Sequence, residues 1–124
     1  MPPELKELHM EKALQHLPED EKPYTIHAPA KTLSQILDEY RMQTVDVLFL
    51  DVEGFEAEVL KGLDLERHRP DWMLIEVRDE KEIQDVLGSR YQPAGIINER
   101  ARYKDILYQC MDPTPRRRTL CRKK

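Results

Sequence analysis

The order of elements along the chain predicts an α/β fold with a partly parallel sheet, and three observations carry that prediction. Residues 45–52 (V-D-V-L-F-L-D-V) and 72–77 (W-M-L-I-E-V) are near-continuous runs of β-formers, the composition of strands buried on both faces of a parallel sheet. Segments of helical periodicity precede, separate and follow those runs, so the strands are joined by right-handed crossovers. The chain then offers two extended segments, residues 91–97 and 103–110, linked by the polar residues 98–102, which reads as an antiparallel hairpin.

Taken in order, Leu5, Leu8, Leu14 and Leu17 fall near one stripe after Pro2 and Pro3 and before Pro18, predicting an amphipathic helix over residues 4–17. Residues 19–30, with Pro23 and Pro29, read as a linker with one weak extended candidate at residues 24–27. Thr32 opens T-L-S-Q, a capping box, and Leu33, Ile36, Leu37 and Tyr40 follow at helical spacing, so a helix is expected over residues 33–41. The 45–52 run is expected to be a central strand that Gly54 ends. Phe55, Val59 and Leu60 then give a short helix its apolar face, with Gly62 as its C-terminal cap. After the second strand, Asp79 and Glu82 form another capping box ahead of Ile83, Val86 and Leu87, and Gly88 stops that helix. Pro93 is expected at an edge or bulge. Phe55 and Trp72 read as core.

The length, 124 residues, suits one domain with a modest core that buries roughly 65 to 70 % of its unfolded surface. A hydrophobic fraction of 40 % against 35 % charged residues fits a soluble globular protein, and the scarcity of aromatics argues against a stacking surface for single-stranded nucleic acid. The net charge of -4 hides a basic end: Arg116, Arg117, Arg118, Arg122, Lys123 and Lys124 stand against Asp112. A short charged terminus of this kind is expected to be solvated and disordered. Cys110 and Cys121 lack C-x-x-C or His spacing for zinc and read as free thiols of a reducing compartment. His9, His16, His27 and His68 are scattered and read as surface or satisfied residues. The first residues are charged where a signal peptide is apolar, and no run approaches the ~20 residues of a membrane span. The expected location is the cytoplasm, with neither membrane nor nucleic acid as partner.

The blocks T-L-S-Q-I-L-D-E-Y, V-D-V-L-F-L-D-V-E-G-F-E-A-E-V-L-K-G and L-I-E-V, with D-I-L-Y in the closing hairpin, resemble the FkbM family of S-adenosylmethionine-dependent methyltransferases. The likeness covers residues 32–110, and its most specific part is D-V-E-G-x-E followed by V-L-x-G. It implies a partial methyltransferase domain over residues 32–110, which leaves the helix and linker as residues 1–31 and the basic tail as residues 111–124. The resemblance also implies a Rossmann-like sheet ordered 3-2-1-4-5-7-6, of which this chain holds the 4-5-7-6 portion, while the first three strands bind the methyl donor. The four glycines, Gly54, Gly62, Gly88 and Gly95, include no G-x-G, and only a helix and linker precede residue 32. The main S-adenosylmethionine-binding segment is therefore expected to be absent. The family usually carries a lysine two residues before the aspartate, where this chain has Phe49. A 45–52 strand without its neighbour would expose an edge, a place for a homodimer or an N-terminal partner chain to pair.

In open α/β sheets the ligand crevice lies at the carboxyl ends of the strands. Asp51 and Glu53 stand there at i, i+2, Glu56 follows in the first helical turn, and Glu76 lies near the end of the next strand. Such carboxylates either take a proton from a substrate hydroxyl or hold a divalent cation. Asp51 is assigned as base or ligand and Glu53 as orienting the substrate, the two catalytic candidates; Glu56 and Glu76 are candidate substrate-binding residues. Against this, acids in a first helical turn stabilise its positive end by ~0.3 to 1 kcal/mol without any catalytic role. By resemblance the activity is O-methylation of a hydroxyl on a sugar or small metabolite, in a truncated or split portion of the enzyme. The alternative is a non-catalytic remnant acting as an interaction or oligomerisation module.

Overall fold

The computed structural model describes residues 3–113, and the chain divides into two units, Met1–Lys31 and Thr32–Lys124. The basic residues 114–124, including Cys121, lie outside the described residues. In the first unit, helix α1 spans Pro3–Leu14, with Pro3 at the first helical position, where its missing N–H breaks no bond. The expected leucine stripe does not bury itself: Leu8, Leu14 and Leu17 are 37 to 45 % exposed, and the helix stops before Leu17. The extended candidate at residues 24–27 forms no strand, and Tyr24 and Ile26 point to solvent. Two or three scattered apolar side chains without a pairing strand cannot offset the entropy of fixing an extended segment.

The second unit runs α2 (Leu33–Glu39), β1 (Val47–Leu50), α3 (Glu56–Lys61), β2 (Trp72–Val77), α4 (Glu80–Leu87), a 3-10 turn (Gly88–Arg90), β3 (Tyr91–Glu99) and β4 (Lys104–Cys110). The sheet is ordered β1-β2-β4-β3. Strands β1 and β2 are parallel, and the β3–β4 hairpin folds back so that β4 lies antiparallel beside β2. This is the mixed α/β architecture with a closing hairpin that the sequence predicts. Pro93 stands on edge strand β3 beside a register shift, where its lack of an N–H does no harm. No helix among the described residues is long and apolar enough to cross a membrane.

Alternation along the strands puts the core on one sheet face. Leu50, Met73, Ile75, Val77, Ile106 and Tyr108 are buried there with Ala57 and Leu60 of α3 and Ile83 and Leu87 of α4. The pairings Leu50 with Ile75, Ile75 with Ile106 and Met73 with Tyr108 stack these side chains in rows across the sheet. Truncating Ile75, which is fully buried, to alanine costs about 2 to 5 kcal/mol. The opposite face carries Val47 and Phe49, paired with Trp72 and Leu74. Here the sequence expectation is corrected: β1 is an edge strand, not a central one, and Phe49 is 73 % exposed. Trp72 and Phe55, expected in the core, are only half-buried.

Local chemistry explains the helix ends. Thr32 Oγ1 accepts from the Gln35 N–H at 3.2 Å and Gln35 Oε1 accepts from the Thr32 N–H at 2.8 Å, the full capping box. Asp79 caps α4 by accepting from the Lys81 and Glu82 N–H groups. Gly88 ends α4 at φ 62, a left-handed conformation that favours glycine. Gly62 is different: its φ is -85, so no left-handed cap requires it. A Cβ there would stand 3.1 Å from Thr32 Cβ, and the Gly62 carbonyl accepts from the Ser34 N–H at 3.1 Å. A side chain there would press on Thr32, where α2 starts.

Candidate functional site

The D-V-E-G-F-E segment forms a tight turn from β1 into α3. Glu53 and Gly54 have φ values of 56 and 95, two successive residues in conformations that side chains disfavour. The turn is held by Glu56, whose Oε1 accepts from the Val52 N–H at 2.9 Å and the Gly54 N–H at 3.1 Å. Glu56 is 4 % exposed, and charge-assisted bonds from backbone donors are what let a carboxylate sit that deep. Three residues of the motif thus have a local reason: Gly54 for its φ, Glu56 to fix the turn, Glu53 carried outward by its left-handed backbone.

That turn brings three of the four sequence candidates together. One carboxylate oxygen from each of Asp51, Glu56 and Glu76 lies within 4.8 Å of the others, with Asp51 exposed and Glu76 half-buried. Such a set suits the hard oxygen coordination of a divalent cation and equally suits holding a proton. Glu53 stands outside this triangle: its Oε2 accepts from Arg78 at 3.1 Å. Arg78 also lies 3.6 Å from Glu76 Oε1, so one guanidinium bridges the two carboxylates. Desolvation raises the Glu76 carboxyl above the usual carboxylate range, and the charges of Asp51, Glu53 and Glu56 add to the rise while Arg78 opposes it. The carboxyl ends of the two parallel strands therefore hold a crowded acidic patch in which one carboxyl is raised above its ordinary range.

Sequence reasoning missed Arg78, because nothing in the spacing of a lone arginine after a strand reveals a fold-back onto Glu53. It also missed a second polar cluster. Ser34 Oγ accepts from the Asp64 N–H at 2.7 Å and lies 2.8 Å from His68 Nδ1, and His68 Nε2 lies 3.3 Å from Asp38 Oδ1. Because the Asp38 carboxylate can only accept, the proton of the neutral imidazole is assigned to Nε2, facing Asp38, and Nδ1 then accepts from the Ser34 hydroxyl. Arg67 clamps both Asp38 oxygens, at 2.8 and 3.0 Å, and its hydrogen bonds hold the Asp38 carboxyl below its ordinary range. Ser34 and His68 are buried, so this serine–histidine–aspartate chain ties α2 to the segment before β2 and presents no nucleophile to solvent.

A family model described as "Methyltransferase FkbM domain" matches residues 4–106, a span that begins well before the residues carrying the sequence resemblance. No curated protein and no solved structure matches the chain.

Proposed function

We propose, from the premise that this chain belongs to the FkbM methyltransferase domain family, that it supplies the acceptor side of a methyl-transfer site acting on a hydroxyl of a sugar or other small metabolite. On this reading β1, β2, β4 and β3 correspond to the 4-5-7-6 part of the family sheet, and the protein works in the cytoplasm. The observation that carries the reading is the convergence of Asp51, Glu56 and Glu76 oxygens within 4.8 Å at the carboxyl ends of β1 and β2. That is where open α/β sheets place their ligands.

The donor implied by the family is S-adenosylmethionine, which supplies an electrophilic methyl group when bound. The described residues do not fit its carboxylate. Gly54 is the one glycine at a strand-to-helix turn, and its N–H is already given to Glu56, with Asp51 and Glu76 close by. A further anion finds no cradle in that turn. The acidic patch fits the acceptor instead. Asp51, the exposed member, takes the hydroxyl proton as the acceptor oxygen becomes nucleophilic. Glu53, fixed by Arg78, orients the acceptor through its hydroxyls, and Glu76, beside it at the strand end, lines the place where the acceptor sits. Glu56 holds the turn in register for all three.

A second reading is favoured by one observation: β1 is a sheet edge whose central Phe49 is 73 % exposed. An apolar, uncharged edge of this kind pairs with another chain, as a homodimer or with a partner carrying further strands. The two readings separate in one experiment on the full chain, combining calorimetric titration of S-adenosylmethionine with radiolabelled methyl transfer to a panel of monosaccharides. Transfer supports the enzyme. Neither heat nor transfer, with dimerisation abolished by Phe49→Lys, supports the interaction module.

A further inference from the structure

Beside the acidic patch lies a cleft of opposite character. It has a volume of about 420 Å³ and is walled by Arg78, Lys81, Arg100, Arg102, Tyr103 and Lys104, between the end of β2, the first turn of α4 and the β3–β4 turn. The β3–β4 turn closes through the Arg100 N–H donating to the Tyr103 carbonyl at 2.9 Å, which sets Arg100 and Arg102 on the cleft rim. The carboxylates in the wall are engaged elsewhere. Asp79 accepts from the Lys81 and Glu82 N–H groups, and Glu80 pairs with Lys104 at 2.6 Å. Lys81 pairs with Asp85 at 2.6 Å. Among the described residues, Arg100 and Arg102 alone of these cations make no side-chain ion pair.

We infer that this cleft binds an anionic oxygen group, a phosphate ester or a carboxylate, carried by the methyl acceptor. Two unpaired guanidiniums on one rim match the forked geometry of such oxyanions. The volume suits a small-molecule site. Arg78 belongs to both places, lining the cleft while its guanidinium contacts Glu53 and Glu76. An acceptor anchored by its anion in the cleft therefore presents a hydroxyl to the carboxylates next door. This assignment rests on the acceptor-side reading only in taking the anion to be part of the acceptor.

The test is ¹⁵N NMR titration of the full chain, without methyl donor, using inorganic phosphate, glucose 6-phosphate, glucuronate and glucose in turn. Phosphate is expected to move the amides of residues 78–81 and 100–104, and one of the two sugar anions to bind at least about tenfold more tightly than glucose, as expected for a charge-assisted contact. The tighter of the two identifies the group. Arg100→Ser with Arg102→Ser, both in an exposed turn, should weaken that binding about tenfold or more with an unchanged Tm. If the pair disturbs folding, Lys81→Gln serves as the second variant, with a smaller loss in the same direction. Shifts that are absent from these amides, or that survive the double substitution as an adventitious ion only, overturn the assignment. Binding is read without chemistry, so a chain that holds the anion yet transfers no methyl group refutes the acceptor-side reading and leaves the cleft standing. Methyl transfer indifferent to Arg100 and Arg102 does the reverse.

Discussion

Two polar clusters in the same unit are built on opposite principles. Around His68, every donor meets an acceptor: Asp64 N–H to Ser34, Ser34 to His68, His68 to Asp38, and Arg67 across both Asp38 oxygens. Around Asp51, like charges are crowded together, with Asp51, Glu56 and Glu76 within 4.8 Å and one guanidinium, Arg78, reaching the patch. The first arrangement lowers the energy of the fold. The second raises it, through a left-handed Glu53 and a half-buried carboxyl pushed toward its protonated form. Strained backbone and crowded charge of this kind make the patch a candidate site.

The contrast predicts that the two clusters respond oppositely to substitution. Of the two clusters, the larger structural effect is expected at His68: replacing it by alanine leaves the buried Ser34 hydroxyl without an acceptor and empties a buried site, costing about 2 to 4 kcal/mol, read as a lowered urea midpoint. An unchanged midpoint would remove the structural role assigned to that chain. Next comes Glu56→Ala, which orphans the Val52 and Gly54 N–H groups and should cost about 1 to 3 kcal/mol. Glu56→Gln keeps an acceptor oxygen and should recover most of the loss.

Glu76 should behave in the opposite sense. Its carboxyl is raised in the folded state, so the folded protein binds more protons than the unfolded chain between the ordinary glutamate value and the raised one. Stability contributed by this group is therefore present at low pH and falls as pH rises through that window. Glu76→Gln should raise Tm at pH 7 by a few degrees and have little effect near pH 4. A loss of Tm at pH 7 would mean that the Arg78 contact outweighs the burial and the neighbouring acids. The smallest effect is expected at Lys81→Ala: its pair with Asp85 is exposed on both sides, and such pairs contribute about 0 to 1 kcal/mol.

Most of this architecture could be read from the residues in order. The T-L-S-Q cap, the 72–77 strand, the helix between Asp79 and Gly88 and the closing hairpin follow from local chemistry, which the sequence displays directly. The parts that could not be read depend on what lies across space. V-L-F-L has the same apolar content at an edge as in the centre of a sheet, so the exposure of Phe49 has no local signature. Gly62 is the C-cap that the sequence suggests, but the close approach of Thr32 to it has no local signature. Leu8 and Leu14 of α1 fall near the expected stripe, yet both stay exposed. At the site, the candidates Asp51, Glu53, Glu56 and Glu76 were legible from the motif and the strand ends. The division of labour among them was not: Glu56 fixes the turn and Glu53 joins Arg78, through contacts two to twenty-five residues apart.

The central claim is that the crowded carboxylates, and Asp51 above all, serve acceptor deprotonation. It is tested most directly by measuring methyl transfer, with a chain that supplies the donor-binding strands, and thermal unfolding together for the full chain and for Asp51→Asn. Asp51 is exposed and relieving like-charge crowding does not destabilise, so the account predicts a Tm equal to or above that of the unsubstituted chain with transfer reduced by about 10²-fold or more. Transfer that persists at the original rate in Asp51→Asn would contradict it.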